Sequence, residues 1–523
     1  MAAVATVSRP RAARTARLHG LAYHWQALIV VVLGSFSVIL NQTVLNVALP
    51  RIIAVFEASV DQGQLVVTAY MVAMAVVIPA CGYATDTFGA RRAYLSTLSL
   101  FTVFTALCGL APSIEGLIAF RVLQGLAGGM IMTLGLTIMF QAVPPRQRGS
   151  VMGVFGLPVL VAPMVGPIIG GYLVEFLNWR LIFGLGVPIG ILSVLVGAAV
   201  LRPSAPREGS RFDGVGFTLI GVGFACALLA LSEAPREGWT ATITVSLGVV
   251  ALVSIVAAVA YELWHPQPLI DLRVLGDRTY PFATAVSCVF MVGMFASSLL
   301  LPLFLQNVRG LGPLDTGLLL APEAVASGLM MPFAGRLLDR FGPRPLVIPG
   351  LIATALSYWL LAGIDPNTSD TTLRLVLVLR GLAMGASMMP VITFAMDNIS
   401  PARLPRATAL GNVLRQLAGA FGTAFFASVL LDRQTYHQAI LAQTATAGSA
   451  SVIQLLSTTA NNLMLLGVAR DTADLLALST LSRQVSQAAT VRAFGDCFYL
   501  AAFFLIAGLV PALLLNRRRR AHS

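Results

Sequence analysis

Long apolar runs separated by short arginine-bearing loops restrict the fold of this chain more than any other feature. Fourteen runs, at 26–48, 65–83, 94–110, 117–138, 150–174, 181–201, 215–231, 241–261, 281–305, 316–331, 346–364, 373–395, 409–431 and 498–515, approach or exceed the roughly 20 apolar residues a helix needs to cross a bilayer. A helix satisfies its own backbone groups in lipid, so the expected fold class is an all-α integral membrane protein. Composition agrees, with 57% of the 523 residues hydrophobic and 11% charged, against roughly 25% charged in soluble domains. The first run follows an arginine-rich tail and passes signal-peptide length without a small-residue cleavage site, which predicts a retained span.

The net charge of +12 could suggest nucleic acid, but its distribution points to topology. All 34 basic residues are Arg, and they cluster between the runs: Arg91 with Arg92, Arg146 with Arg148, Arg273 with Arg278, Arg336 through Arg340 to Arg344, Arg403 with Arg406, and the tails 9–17 and 517–520. Threaded through the runs, these clusters fall on one side, which the positive-inside rule makes the cytoplasm, with both termini there. The expected surroundings are lipid bilayer, and no nucleic acid is expected. The five cysteines lie in apolar runs without metal-like spacing, so no disulfide or zinc site is expected. No Ser-His-Asp arrangement, HExxH, P-loop or CxxC is present, which leaves no footing for an enzyme, a cofactor or a metal.

The run 150–174 holds the segment GLPVLVAPMVGPIIGG, in which Gly156, Gly166, Pro167, Gly170 and Gly171 stand. Glycine and proline are tolerated in a spanning helix where neighbours re-satisfy freed backbone groups. Glycines four apart present bare backbone to a second helix, so this segment reads as the hinge-and-seal helix of a transporter. An internal repeat supports that class. Gly82-x-x-x-Asp86-x-x-Gly89-x-Arg91-Arg92 returns as Gly335-Arg336-x-x-Asp339-Arg340-x-Gly342, at the ends of the second and tenth runs. Paired copies in equivalent places mark a parallel-repeat transporter. At the arginine-rich edge, a carboxylate and arginines can bridge helices in one conformation and release them in another, so the motif reads as a conformational lock.

A few polar side chains fall inside the runs. Arg121, with Gln124 one turn on, would cost at least about 2.5 kcal/mol at the bilayer centre and is a functional candidate by default. Snorkelling to the outer interface is the alternative, since Arg121 lies one to two turns from the start of its run. Arg380 and Arg415 are further candidates. Glu323 lies roughly 12 Å inside the outer end of the tenth run at 1.5 Å per residue. That depth suits a proton carrier, or a structural ion pair with an intramembrane arginine.

Several phrases together resemble the fourteen-helix drug:proton antiporters of the major facilitator superfamily, and within them the EmrB/QacA-like exporters. These are Gly166-Pro167-x-x-Gly170-Gly171 followed by Trp179-Arg180-x-Ile182-Phe183, Arg121-x-x-Gln124-Gly125-x-x-Gly128-Gly129, Gly411-Asn412-x-x-Arg415-Gln416-x-x-Gly419, and Phe212-Asp213. The resemblance implies a major facilitator fold: two six-helix bundles at 26–201 and 281–515, two inserted helices within 202–280, and basic tails at 1–25 and 516–523. It implies a proton-coupled exporter of amphipathic small molecules in a bacterial inner membrane, and it links Arg121 to proton transfer. A dedicated exporter of one metabolite and an uncoupled sensor or scaffold remain as alternatives. The stretch 432–496 reads as a periplasmic loop of amphipathic helices. Arg433-x-x-x-His437 resembles the matching EmrB-like loop, which implies a periplasmic adaptor protein and an outer-membrane channel as partners.

One departure from the family matters. Where the first helix of the family carries Asp, this chain carries Asn41, which can hydrogen-bond but cannot exchange a proton. The role of that Asp does not transfer. Glu323 is the candidate replacement proton carrier, with Asn41, Arg121, Gln124 and Arg415 as further coupling or substrate candidates.

Overall fold

The structure is a computed structural model and describes residues 21–204, 211–444, 450–466 and 468–515; residues 1–20 of the basic tail 1–25 and all of the tail 516–523 lie outside them. All the long elements among the described residues are helices. The N-terminal half holds α1 (Tyr23–Val55), α2 (Val60–Val77), α3 (Ala80–Phe88), α4 (Ala90–Gly109), α5 (Ile114–Ala142), α6 (Arg148–Phe155), α7 (Leu157–Phe176) and α8 (Leu181–Val200). An inserted hairpin follows, α9 (Gly214–Glu237) and α10 (Thr242–Trp264). The C-terminal half holds α11 (Tyr280–Leu303), α12 (Pro313–Phe341), α13 (Arg344–Ala362), α14 (Asp370–Ala395), α15 (Leu404–Thr444), α16 (Ala450–Leu465), α17 (Arg470–Ala507) and α18 (Leu509–Leu513).

Local sequence explains where many of these helices begin and break. Ser59 and Gln62 form a reciprocal capping box at α2, and Ser113 and Ser369 cap α5 and α14, each satisfying a backbone donor left free in the first turn. The chain bends by 57° between α2 and α3, at Pro79, which has no amide hydrogen to donate. A second break separates α6 from α7 at Gly156, with Pro158 in the first turn of α7, where its missing donor costs nothing. The segment 150–174 is therefore two helices rather than one.

Eleven described helices are long and apolar enough to cross a membrane, or twelve with the bent α2–α3 pair. The fourteen runs all lie on helices, but two fall outside that tally. The run 94–110 lies on α4, which carries Arg91 and Arg92 in its first turn, and the run 150–174 is split between α6 and α7. The stretch 432–496 also differs from expectation. Instead of forming a separate loop, its flanks continue the spanning helices. Helix α15 runs for 41 residues, about 61 Å at 1.5 Å per residue, twice a hydrocarbon core of about 30 Å. Only α16 stands apart, packed on α17 through Ala460, Ala473 and Ala477.

The sequence repeat is the end of a deeper structural one. Helices α2 and α5 touch through Gly125 and Gly129, where an added Cβ would lie 2.6 Å from the Tyr70 carbonyl and 2.3 Å from that of Met74. Helices α12 and α14 touch in the same way, Gly381 against the carbonyl of Glu323 at 2.3 Å and Gly385 against that of Ser327 at 2.5 Å. Such bare contacts let helices pack backbone to backbone where lipid supplies no hydrophobic drive.

Candidate functional site

The C-terminal half holds a buried ion pair. Arg380 on α14 donates from Nε to Oε1 of Glu323 at 2.8 Å, from Nη2 to Oε2, and from Nη1 to the Ser297 hydroxyl on α11. Glu323 stands ten residues into α12, roughly 15 Å along it. The arginine side chain is 3% exposed and the carboxylate 20%. The ion-pair reading of Glu323 is therefore the one the structure realises. Two-point contact of this kind fixes orientation as well as charge, and Gly381 creates it by bringing the next residue of α14 against the backbone of Glu323.

The N-terminal half holds a buried arginine in a neutral cage. Arg121 is fully buried, which rules out snorkelling. Its Nη1 donates to Asn41 Oδ1 at 2.9 Å and to Gln124 Oε1 at 2.6 Å, and its Nε to the Val66 carbonyl at 3.3 Å. Gln124 Nε2 donates in turn to Asn41 Oδ1 at 3.2 Å and Thr105 Oγ1 at 2.7 Å. The guanidinium lies 3.8 Å from the centre of the Tyr70 ring, a cation–π contact that partly offsets its desolvation. Among the described residues no carboxylate forms an ion pair with it. Arg121 Nη2, Asn41 Nδ2 and Tyr70 Oη are buried without a hydrogen-bond partner. Arg121, Gln124 and Asn41, each picked out from sequence, thus converge; Tyr70 and Thr105 were missed, because neither hydroxyl stands out in an apolar run.

Arg415 lies apart from both clusters. It is 5% exposed and donates to Asn412 Oδ1, and Asn412 Nδ2 donates across the two halves to Thr133 Oγ1 at 2.9 Å. Gln416 reaches the Met71 carbonyl at 3.5 Å. This strand of contacts joins α15 to α5 and α2.

At the arginine-rich end, both motif copies act through their carboxylates. Asp86 pairs with Arg406 of α15 at 2.8 Å. Asp339 accepts from the Gly149 and Ser150 amides at 2.9 and 3.0 Å and from the Ser150 hydroxyl at 2.8 Å, capping the positive end of α6. Arg148 and Asp397 add a pair at 3.5 Å. Each bond joins one half to the other. Gly89 and Gly342 turn the chain at φ of +78° and +83°, a region closed to most side chains. Gly335 lies against Gly149, whose carbonyl oxygen an added Cβ would approach to 2.1 Å, and one on Gly82 would meet Arg406 at 2.9 Å. The arginines of the first copy take no part. Arg91 donates to the Ala198 carbonyl at 2.5 Å, Arg92 is exposed, and the partner of Asp86 comes from outside the repeat. Arg340 lies over the Phe341 ring at 5.2 Å.

The glycines of the hinge segment face two ways. A Cβ on Gly156 would meet Met331 Sδ at 2.6 Å, on the opposite half. Gly166 lies against Thr43 and Gly170 against Val44, both on α1 of the same half, at 2.2 and 3.0 Å. Gly171 has no atom within 4 Å of an added Cβ, so the seal does not extend to it. The side chain of Pro167 lies outside the described ones.

A buried acid pair also went unseen. Glu262 is 3% exposed and Asp213 5%. Asp213 caps α9 through the Gly216 amide at 2.9 Å and accepts from the Tyr261 hydroxyl at 3.2 Å. The apolar run 241–261 stops one residue short of Glu262, whereas α10 continues to Trp264.

Comparison with known proteins agrees with this architecture. The chain is 34% identical to YhcA of Bacillus subtilis (strain 168), described as an uncharacterized MFS-type transporter, over 94% of this chain and 93% of that one. It is 32% identical to a multidrug resistance protein B homolog of Mycobacterium tuberculosis (strain ATCC 25618 / H37Rv), over 94% and 90%, and 29% identical to the multidrug export protein EmrB of Escherichia coli (strain K12), over 92% and 94%. The crystal structure of the human organic anion transporter MFSD10 shares the fold, with a TM-score of 0.63 at 16% identity over 94% of this chain and 99% of that one. With residues 31–423 matching the Major Facilitator Superfamily profile, the chain belongs to the Major Facilitator Superfamily of membrane transporters.

Proposed function

We propose that this protein is a proton-coupled exporter of amphipathic small molecules in a bacterial inner membrane, with the arginine-rich end and both termini in the cytoplasm. The observation that carries the reading is the Glu323–Arg380 pair, deep in α12 and α14, in a structure held shut at its arginine-rich end by Asp86–Arg406 and Asp339–Ser150. With that end cytoplasmic, the contacts support a state closed toward the cytoplasm. Glu323 takes up a proton from outside, which removes the charge holding Arg380. The freed pair favours the state in which the lock carboxylates let go, and substrate and proton exchange places across the membrane. Ligands shift such an equilibrium only by their differential affinity for the two states, and protonation of Glu323 supplies that difference. The likeness to EmrB, a multidrug export protein, supports drug-like substrates. Arg121, in its neutral cage with an unpartnered Nη2, favours neutral or weakly acidic lipophiles over quaternary cations, since a second unpaired cation at low dielectric is costly.

Reconstituted in proteoliposomes, Glu323→Gln is expected to lose export driven by a proton gradient while keeping substrate counterflow, because Gln preserves shape and hydrogen bonding and removes only the exchangeable proton. Normal gradient-driven export by this variant would overturn the coupling role of Glu323.

A further inference from the structure

The lock leaves both arginines of its first copy unused, and Arg91 is the less exposed of the two. Arg91 belongs to the first motif copy, yet Asp86 pairs with Arg406 and Arg91 turns the other way. Its Nη2 donates to the Ala198 carbonyl at 2.5 Å, in the last turn of α8, where the helix dipole is negative. Its Nε is buried with no hydrogen-bond partner. Arg91 lines a cavity of about 150 Å³, together with Tyr23, Gln141, Leu201, Arg202 and Ser204 among others. Arg202 lies over the Tyr23 ring at 4.3 Å, and its amide meets the Tyr23 hydroxyl at 3.3 Å. Two arginines, Arg91 and Arg202, therefore line one small cavity, and no carboxylate is in its lining.

We propose that this cavity binds a phosphate-bearing anion, supplied either by the headgroup of an anionic phospholipid or by free phosphate. Its volume admits a phosphate group but falls below the roughly 300 Å³ of pockets that hold drug-sized molecules. Guanidinium matches phosphate oxygens with paired donors, and the unpartnered Nε of Arg91 is one such donor already in place. The location suits a lipid. The cavity sits where α1 and α4 begin and α5 and α8 end, at the arginine-rich edge of the spanning segments, and Leu201 gives it an apolar wall. On the orientation proposed above, that edge meets the cytoplasmic leaflet, where anionic lipids attract basic residues by about 1 kcal/mol each. Arg91 follows Gly89, the turn of the lock motif, by two residues, and its own amide faces the Ser204 hydroxyl at 3.4 Å. An anion held here clamps α4 to the end of α8 beside the lock and so favours the closed arginine-rich end.

The test is thermal unfolding of the full-length protein in nanodiscs of neutral phosphatidylcholine, in nanodiscs containing phosphatidylglycerol, and in the neutral nanodiscs with added inorganic phosphate. The comparison is among wild type, Arg91→Gln and Arg202→Gln. Phosphatidylglycerol, free phosphate or both are expected to raise the wild-type midpoint, and each substitution is expected to weaken the responsible anion about fivefold. Protection by phosphatidylglycerol alone assigns the site to lipid, and protection by phosphate alone assigns it to the soluble anion. Arg202→Gln leaves the Arg91–Ala198 bond untouched, so it stays informative if Arg91→Gln unfolds. Failure of both anions to raise the wild-type midpoint, or equal protection of wild type and Arg202→Gln, overturns the proposal. Nanodiscs present the same lipid on both faces, so the outcome does not depend on orientation or proton coupling, and either of those can fail separately.

Discussion

Tyr70 and Glu323 occupy the same place in two copies of one helix pair: Gly125 closes on the Tyr70 carbonyl as Gly381 closes on that of Glu323. The same register sets Gln124, just before Gly125, at the place of Arg380, just before Gly381. One half thus carries an ionised pair where the other carries a phenol and an amide. Arg121, three residues before Gln124, brings a positive charge into the N-terminal half without bringing its counter-ion. On the function proposed above, this asymmetry would place proton exchange in the C-terminal half and leave the N-terminal half to receive negative or polar groups.

Restoring a carboxylate to the first helix tests that asymmetry. In Asn41→Asp the oxygen that already accepts from Arg121 at 2.9 Å and Gln124 at 3.2 Å becomes charged, and the unpartnered Nδ2 disappears. The Arg121 contact, already charge-assisted on the donor side, becomes an ion pair, and the Gln124 contact goes from neutral to charge-assisted, a gain of about 1 kcal/mol. The variant should unfold at a higher temperature than wild type and shift its resistance spectrum toward cations such as ethidium. A lower midpoint with an unchanged spectrum would show that the cage does not act through charge.

The closed end depends on glycine backbone meeting glycine backbone. In Gly335→Val a side chain would run into the Gly149 carbonyl, and backbone cannot move aside as a flexible side chain can. The variant should reach the membrane but fail to close its arginine-rich end. Cysteine probes beside Arg340 should then become more reactive than in wild type, and export should fall at least tenfold. Unchanged probe reactivity with full export would remove the seal.

Orientation is open to direct labelling. Because arginine clusters stay cytoplasmic, a cysteine beside Arg340 should resist a membrane-impermeant thiol reagent applied to intact cells. One near Thr444, at the far end of α15, should react. The reverse pattern would invert the topology and place the closed end outside.

The projecting ends of α15 and α17, with α16 between them, are the proposed seat of a periplasmic adaptor that leads to an outer-membrane channel. His437 and Arg433 of α15 both engage Asp496 of α17, at 2.8 and 3.6 Å, which fixes the base of the projection. Deleting 443–469 removes α16 and leaves this base in place. Transport in proteoliposomes should persist, while resistance in an intact double-membrane cell should fall sharply. Undiminished resistance would separate this protein from the adaptor-dependent pumps.

What the sequence determined alone is whatever depends on composition and local backbone. Runs of about 20 apolar residues can only satisfy their amides as helices in lipid, and all of them are helical. Gly89 and Gly342 were singled out in the repeat, and both adopt a positive φ that another residue would resist. The depth of Glu323 followed from counting residues along its helix. Partner choice was not legible, because it depends on which helix faces meet after packing. Arg406, 320 residues from Asp86 in the chain, took the place in the lock that the neighbouring Arg91 and Arg92 were expected to fill. Gly156 and Gly166 belong to one motif, yet α6 and α7 part at Gly156, so one glycine faces the opposite half and the other faces α1. Tyr70 looks like any aromatic in an apolar run, and only the approach of α5 makes it the counterpart of Glu323. A sequence states what each helix can bury, but tertiary structure decides against what, since hydrogen bonds and ion pairs form between side chains that only the packed helices bring within about 3 Å.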